Sequence, residues 1–504
     1  MTRATQNRPL FIPPLMHVTP FPGATTAVLI GPIPAGVAVD LRSYRAILWL
    51  DHPPGAKPPP LAPGAVLKTL APHPSAVVAK ELEIFLRADS RHLPAVMVGE
   101  PTNLTLPATV GTVAGLLQEH HRARVTRQLD AFRWQQHLLQ NLSAYARRPL
   151  PAGWRDALAG RPAVVCGAGP SLDVSAPRLA EIADRVVILA ADSALRTLAK
   201  HGVRADMVVS VDVAKEPGLC LAADSPLPGR ALLAPISPPA WNQALPESAT
   251  CYLASNQLTT DWLESHGVPK PPVAVTESCG VTALTLARWL GCAPIHLFGL
   301  ELALTPGEPA RRHNAGADAA IYTDSGFNAL QAFPEVPGNH HPTVPTHALG
   351  DWRALDARLA TWPAGLVVNV NDRGARLRNT TVVHPRQFSF TGPTGKDDWL
   401  AGLAIPSPVA PETMAAALAQ LRHCGESCTA ALPGLQAALA QNGPTGLVQL
   451  FRRLIAEGDT GRALGGFSLK LMPHLLPPIE GDAAFWSGLL DEFAELARLL
   501  RELR

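Results

Sequence analysis

A turn built from small residues follows an apolar run near the middle of the chain. The run Ala163–Cys166 is apolar and partly β-branched, as a buried strand requires. The turn after it consists of five residues: Gly167, Ala168, Gly169, Pro170 and Ser171. Glycine lets the backbone approach a ligand closely, and the N–H groups at the start of a following helix suit an anion. The sequence therefore predicts a nucleotide-phosphate site at this turn.

The turn departs from two common phosphate-binding motifs. Leu172 stands where a dinucleotide motif has its third glycine, and Pro170 removes one N–H donor. A lysine of the P-loop type is also missing, so the pattern argues against NAD, FAD and a P-loop. These residues alone leave an alternative to the phosphate site, which is a tight strand–helix turn that binds no ligand.

Polar residues stand where three further apolar runs end. They are Asp192 and Ser193, Asp212, and Glu301. In a doubly wound parallel sheet the carboxyl ends of the strands line the ligand crevice. Asp192 suits a ribose hydroxyl or the cap of the next helix. Asp212 suits Mg²⁺, a sugar or the role of a base, or it is a carboxylate in a turn.

The apolar runs recur with helical segments between them, which predicts a parallel sheet. The predicted strands of the central region are 163–166, 186–190, 207–211, 231–234, 272–275 and 295–298. Three residues open the helix that is predicted after the fifth of these strands: Gly280, Val281 and Thr282. They form a second candidate pocket for an anion or a base.

Composition excludes several classes of protein. The 504 residues carry a formal net charge of only +2, so a nucleic-acid partner has little support. The chain is 47% hydrophobic and 17% charged, which is typical of a globular protein. No signal peptide or membrane span is expected, because prolines interrupt the first residues and no apolar run is long enough. We expect a cytoplasmic protein.

No metal site is predicted. The seven cysteines are scattered, and their odd number favours reduced thiols. Cys424 and Cys428 lack a second pair of ligands. A group of loop histidines is an equally weak candidate: His340, His341 and His347.

Four segments make up the predicted organisation. They are an N-terminal α/β domain over 1–115, a connecting helix over 116–150, a Rossmann-like nucleotide-binding catalytic domain over 151–390, and a C-terminal helical domain over 391–504. The fold class is α/β with a mostly parallel sheet. The proline-rich stretch 53–63 is predicted to be a loop, and four helices are predicted near 414–421, 433–441, 447–457 and 485–503.

Five blocks of sequence, in order, resemble one known family. The first is Val164–Asp173, and the later blocks include 191–212, 278–302, 336–346 and 369–377. Over residues 125 to 385, the chain resembles the 6-hydroxymethylpterin diphosphokinase MptE-like domain. That domain also occurs in the motility accessory factors (Maf proteins) of flagellated bacteria.

The resemblance implies a Rossmann-like core related to bacterial sialyltransferases. Maf proteins are associated with transfer of nonulosonic sugars, such as pseudaminic or legionaminic acid, from CMP to Ser or Thr of flagellin. The resemblance therefore implies a CMP-activated sugar and flagellin as partners, with no cofactor required. The alternatives are transfer of diphosphate from ATP to a pterin alcohol, which needs Mg²⁺, and a degenerate protein that only binds a nucleotide sugar.

The resemblance also bears on two candidate catalytic residues besides Asp212. Glu301 stands where the family usually has Asp, so a longer carboxylate serves the site or the site has lost its geometry. His313 lies in the loop beyond it, where family members carry a histidine that can deprotonate an acceptor hydroxyl. A solvent-exposed loop histidine is the alternative for His313.

Overall fold

The computed structural model describes most of the chain in several ranges. They are residues 24–33, 39–86, 92–99, 106–276, 278–305, 313–320, 334–405, 412–456, 458–475, 479 and 481–503. These residues fall into two compact units. The first lies within 1–126, 326–336 and 345–349, and the second within 127–325, 337–344 and 350–504.

The first unit is built on a four-stranded parallel sheet. Its elements are β1 (Thr26–Ile30), β2 (Ala46–Leu50), β3 (Val66–Thr69), α1 (Ser75–Leu86) and β4 (Ala95–Val98). The order across the sheet is β3-β2-β1-β4. Apolar residues of α1 pack on one face of β1 and β2, and Leu41 and Tyr44 pack on the other, so successive residues of both strands are buried. The stretch 53–63 contains neither helix nor strand, as predicted.

The second unit contains an eight-stranded sheet in which every neighbouring pair is parallel. Along the chain, the strands after β4 are β5 (Ala163–Cys166), β6 (Val187–Ala191), β7 (Met207–Ser210), β8 (Arg230–Leu233), β9 (Thr250–Tyr252), β10 (Ile295–Phe298), β11 (Glu335–Pro337), β12 (Thr343–Pro345), β13 (Val367–Val370) and β14 (Thr380–Val383), of which β11 and β12 are not part of this sheet. The order across the large sheet is β14-β13-β10-β5-β6-β7-β8-β9. The predicted α/β class with a parallel core is confirmed.

Helices cover both faces of this sheet. Those after α1 are α2 (Leu106–Arg147), α3 (Leu172–Ala180), α4 (Leu195–Lys200), α5 (Pro217–Cys220), α6 (Trp241–Ala244), α7 (Leu258–Ser265), α8 (Cys279–Trp289), α9 (Ala315–Ala320), α10 (Leu349–Leu359), α11 (Lys396–Ala401), α12 (Glu412–Ala456), α13 (Thr460–Ala463), α14 (Gly465–Leu471) and α15 (Ala483–Arg501). Alternate residues of each strand enter opposite cores: Val164 packs with the helices of one face, and Val165 packs with α8 on the other.

The order in which the chain adds strands to the large sheet reverses between β5 and β10. From β5 the chain adds β6 to β9 on one side, and it later adds β10, β13 and β14 on the other. Such a switch point opens a crevice at the carboxyl ends of the two central strands. The predicted glycine turn follows β5 and Glu301 follows β10, so both lie at this point.

Three element predictions need correction. The run 272–275 is not a strand and contributes one bridge, between Ala274 and Ala254, whereas β9 was not predicted. The connecting helix begins earlier than predicted, since α2 starts at Leu106. The run 272–275 and strand β9 are short, and so few residues give too little periodicity to separate a strand from a loop.

The C-terminal region is helical, but its helices are divided differently from the prediction. Pro433 lies inside α12 instead of beginning a helix, and the non-helical residue is Gly443. Buried side chains on both sides of Pro433, including Cys428 and Leu435, anchor α12 in one core and offset the missing N–H. Pro477 and Pro478, between the last two predicted helices, lie outside the described residues.

Two observations apply to the part of the chain that the structure describes. None of its helices is both long and apolar enough to cross a membrane. All seven cysteines are described, and each is buried and free of disulfide bonds.

Candidate functional site

The glycine turn after β5 runs backbone against backbone with the end of β10. The N–H of Gly167 donates to Phe298 O at 2.8 Å, and the N–H of Gly169 donates to Gly299 O at 2.7 Å. A Cβ on Gly167 would lie 2.3 Å from Gly299 O. Glycine at 167 is therefore required by the contact between two strand ends. Both N–H groups that were expected to face a phosphate are used in this contact.

The carboxylate of Glu301 lies on the same turn. Its Oε1 accepts a 2.7 Å hydrogen bond from the N–H of Ser171, at the start of α3. Its Oε2 lies over Gly169, because a Cβ built there would be 1.3 Å from that oxygen. The residue is 3% exposed. Glu301 and the turn, which the sequence separates widely, form one unit at the switch point.

Glu301 is an incompletely satisfied buried carboxylate. Among the described residues, neither its Oε2 nor the buried Oγ of Ser171 has a hydrogen-bond partner. Burial raises the pKa of Glu301, and the presence of Ser171 and the charge of Arg373 oppose this rise. The backbone of the residue is fixed by the N–H of Ala375, which donates to Glu301 O at 2.9 Å.

Asp192 lies at the end of β6 and is 1% exposed. Its Oδ1 accepts from the N–H of Ser193 at 2.6 Å and from Ser193 Oγ at 3.0 Å. Its Oδ2 accepts from Ser210 Oγ at 2.8 Å and from Cys279 Sγ at 3.4 Å. Both oxygens are thus occupied by protein donors from β7, α8 and the following turn. In this arrangement Asp192 positions the carboxyl edge of the sheet.

Asp192→Asn is expected to change how stability depends on pH. Burial raises the pKa of Asp192 above its ordinary value of 3.8, and the charge of Lys215 opposes the rise. Between the unfolded and folded pKa values the native state binds more protons, so stability falls as pH rises above about 4. The variant lacks this contribution, which is at most about 1.4 kcal/mol per pH unit. Urea unfolding of both proteins between pH 4 and 7 measures the difference; an opposite slope would show a lowered pKa.

Asp212 is the least buried of the predicted carboxylates. It follows β7, and its Oδ1 accepts from the N–H of Ala214 at 2.9 Å. Its charge contributes to the raised pKa of Asp130 on α2, in which burial is the largest effect. Lys215, three residues later, is 5% exposed, and its charge opposes the rise in the pKa of Asp192. The edge of β6 and β7 therefore combines carboxylates with a buried cation.

Asn314 ties the loop after β10 to the glycine turn. This residue is fully buried, and its N–H and Nδ2 both donate to Ala168 O, at 2.8 and 3.0 Å. Nδ2 also donates to Ser193 O at 3.2 Å, and Oδ1 accepts from Thr197 Oγ1 at 2.7 Å. Sequence reasoning missed Asn314, because one polar residue in a loop carries no periodic signal.

His313 precedes this anchor and is therefore held near the turn. Its Nδ1 lies 3.6 Å from Asp318 Oδ1 on α9, and its side chain is 16% exposed. A carboxylate beside an imidazole favours one ring orientation, as a general base requires.

The second predicted pocket is a packing contact in this structure. All three of its residues are buried: Gly280, Val281 and Thr282. A Cβ on Gly280 would lie 2.8 Å from Leu300 Cδ1, so glycine allows α8 to approach the turn. Thr282 Oγ1 accepts from the N–H of Thr276 at 3.0 Å. Their assignment to a ligand stays a prediction.

The structure thus brings most of the predicted residues to one edge of the sheet. The turn, Glu301, Asp192 and the loop of His313 are joined by contacts, and the charge of Asp212 acts on Asp192. Within the described residues, no three His, Cys, Asp or Glu side chains are grouped so that they could hold a metal ion. Among these described residues are the histidines 340, 341 and 347 and the cysteines 424 and 428.

A doubly wound parallel sheet with a strand, glycine turn and helix at its switch point defines a Rossmann-like α/β protein. Residues 136–307 match the family model of 6-hydroxymethylpterin diphosphokinase MptE-like proteins. This central region thus matches the family that the sequence resembles.

A solved structure extends the likeness to nearly the whole chain. The MAf glycosyltransferase from Magnetospirillum magneticum AMB-1 matches with a TM-score of 0.52 and 16% sequence identity. The match covers 95% of this chain and 78% of that one. At this identity the likeness establishes a shared fold. No curated protein matches the sequence.

Proposed function

We propose that this protein is a glycosyltransferase that moves a nonulosonic sugar from a CMP-activated donor to Ser or Thr of flagellin. The observation that supports it most is the fold shared with a Maf glycosyltransferase over 95% of the chain. The MptE-like match in the region that contains the switch point adds to this support. Fold alone does not define a reaction, so the roles below come from the site.

The proposed reaction is one displacement at the anomeric carbon. The acceptor oxygen forms a bond to that carbon, and the bond to the phosphate oxygen of CMP breaks. His313 takes the proton of the acceptor hydroxyl, with Asp318 orienting the imidazole. Asp212, at the more open edge of the sheet, orients the sugar. Ser171, directly before α3, holds the departing phosphate, so the scheme needs neither a metal nor another cofactor.

Transfer to flagellin tests this proposal directly. The purified chain is mixed with CMP-pseudaminic or CMP-legionaminic acid and flagellin, and CMP release and the mass of flagellin peptides are measured. His313→Ala is expected to lower kcat by about 100-fold, the usual scale of a lost general base. Asp212→Asn is expected to raise KM more than it lowers kcat, because it removes a contact to the sugar. The exposed His201→Ala and Asp224→Asn are matched controls.

The other outcomes separate the remaining functions. Consumption of ATP with Mg²⁺ and a pterin alcohol, with flagellin unmodified, would show the diphosphokinase. Binding of CMP without transfer to any acceptor would show a protein that only binds the nucleotide sugar. Either result contradicts the proposed transferase.

A further inference from the structure

Ser171 is the point at which the start of α3 meets a side chain. Helix α3 has nine residues, and its next three N–H groups donate to carbonyls of the turn: Leu172 to Gly169, Asp173 to Pro170 and Val174 to Ser171. The N–H of Ser171 donates instead to the carboxylate of Glu301. Among the described residues, the N–H of Ala168 has no acceptor. The turn therefore contains one donor bound to the Glu301 carboxylate and, within the described part of the chain, one donor without an acceptor.

The carboxylate of Glu301 leaves hydrogen-bonding groups at this position unsatisfied. Glu301 Oε2 and Ser171 Oγ are both buried and, within the described part of the chain, both unpartnered. A buried polar atom without a partner is costly, and buried charge is costlier. A phosphate has more acceptor oxygens than a carboxylate and can accept from the N–H and the Oγ–H of Ser171 together. The site is thus better suited to a phosphate than to its present occupant.

We infer that the carboxylate of Glu301 is an internal stand-in for the phosphate of the nucleotide, which must displace it to bind at Ser171. This rests on the proposed function, because it assumes that a nucleotide phosphate binds at this turn. The charge of Arg373 acts on Glu301, although its guanidinium also pairs with Asp372 at 2.7 Å. Glu301 then sets the affinity and selectivity of the phosphate site without touching the sugar.

Isothermal titration with two probes, CMP and inorganic pyrophosphate, tests the inference on the full chain. Glu301→Gln keeps the size of the side chain and removes the charge, so it is expected to bind both probes about tenfold more tightly than the wild type. Glu301→Asp is too short to reach Ser171 and is expected to show a smaller gain. Glu181 is an exposed residue that follows α3. Glu181→Gln removes one charge outside the turn, and it is expected to leave the affinities for CMP and pyrophosphate unchanged.

Each outcome of the titrations supports or overturns the stand-in role of Glu301. Tighter binding by either variant, or binding by the variants where the wild type binds nothing, supports the stand-in. Equal or weaker binding by both folded variants overturns it, while retained CMP binding leaves the proposed function intact. Tighter pyrophosphate binding by the variants, with no CMP binding by any of the proteins, supports the stand-in and contradicts the CMP donor. If no protein binds either probe, both ideas fail. Thermal unfolding identifies a misfolded Gln variant, in which case the Asp variant decides.

Discussion

Gly169→Ala is expected to destabilise the protein by about 3 kcal/mol or more, because the new methyl group would occupy the place of the Glu301 carboxylate. The built Cβ lies 1.3 Å from Oε2 and 2.5 Å from Cδ of Glu301. The carboxylate must then leave Ser171, which separates a buried charge from its hydrogen bond. Urea unfolding at pH 7 measures the loss, and CMP titration shows whether the turn still binds.

A second substitution identifies the cause. Glu301→Ala removes the atoms that clash with the new methyl group, so the double variant is expected to recover about 2 kcal/mol relative to Gly169→Ala. Recovery is incomplete, since Gly299 O remains 2.9 Å from the built Cβ. Gly434→Ala in α12 is the matched control, because nothing lies within 4 Å of its built Cβ. A double variant no more stable than Gly169→Ala would show that Glu301 does not lie over the turn.

Gly167→Ala provides a contrast in which the main obstacle is backbone. Its built Cβ would meet the carbonyl oxygen of Gly299 at 2.3 Å. Because a backbone atom is the obstacle, Glu301→Ala is not expected to rescue this variant. Two glycines two residues apart therefore serve different contacts, which their shared residue type conceals.

The central strands could be predicted because each is buried on both faces. Strand β5 is a continuous apolar run of four residues, and β10 departs from such a run only at His296, which is typical of a parallel sheet covered by helices. Strand β9 has only three residues, one of them Thr250, and resembles many loops. The order of strands across the sheet depends on contacts distant in sequence, so the position of the switch point required the structure.

The location of the candidate site could be predicted, but the state of its hydrogen-bonding groups could not. A strand followed by a glycine turn identifies the region from local sequence. Whether the N–H of Gly169 is free depends on Gly299, which is far away along the chain. For the same reason Glu301 was predicted as a catalytic carboxylate, and its burial against Ser171 became visible only in the fold. Its catalytic role stays a prediction.

Asn314→Ala is expected to lower the free energy of unfolding by about 3 kcal/mol, because it leaves several buried polar groups without partners. The lost bonds are those from Nδ2 to Ala168 O and Ser193 O and those to Oδ1 from Thr197 and Ala317. Since Ala168 belongs to the glycine turn, the affinity for CMP is expected to fall as well. Urea unfolding and CMP titration measure the two effects.

Asn314→Asp sharpens the same prediction. The new carboxylate keeps an acceptor for Thr197, but it places a second oxygen against the carbonyls of Ala168 and Ser193. At pH 7 this variant is expected to be less stable than Asn314→Ala. Protonation restores a donor, so the deficit should shrink as pH falls towards 4, since the folded state then binds the extra proton. Thr197→Val removes the bond to Asn314 and a longer one from the N–H of Gly316, and it should cost about 1–2 kcal/mol. An Asp variant as stable as the wild type at pH 7 would contradict the assigned role of Nδ2 as the donor that holds the turn.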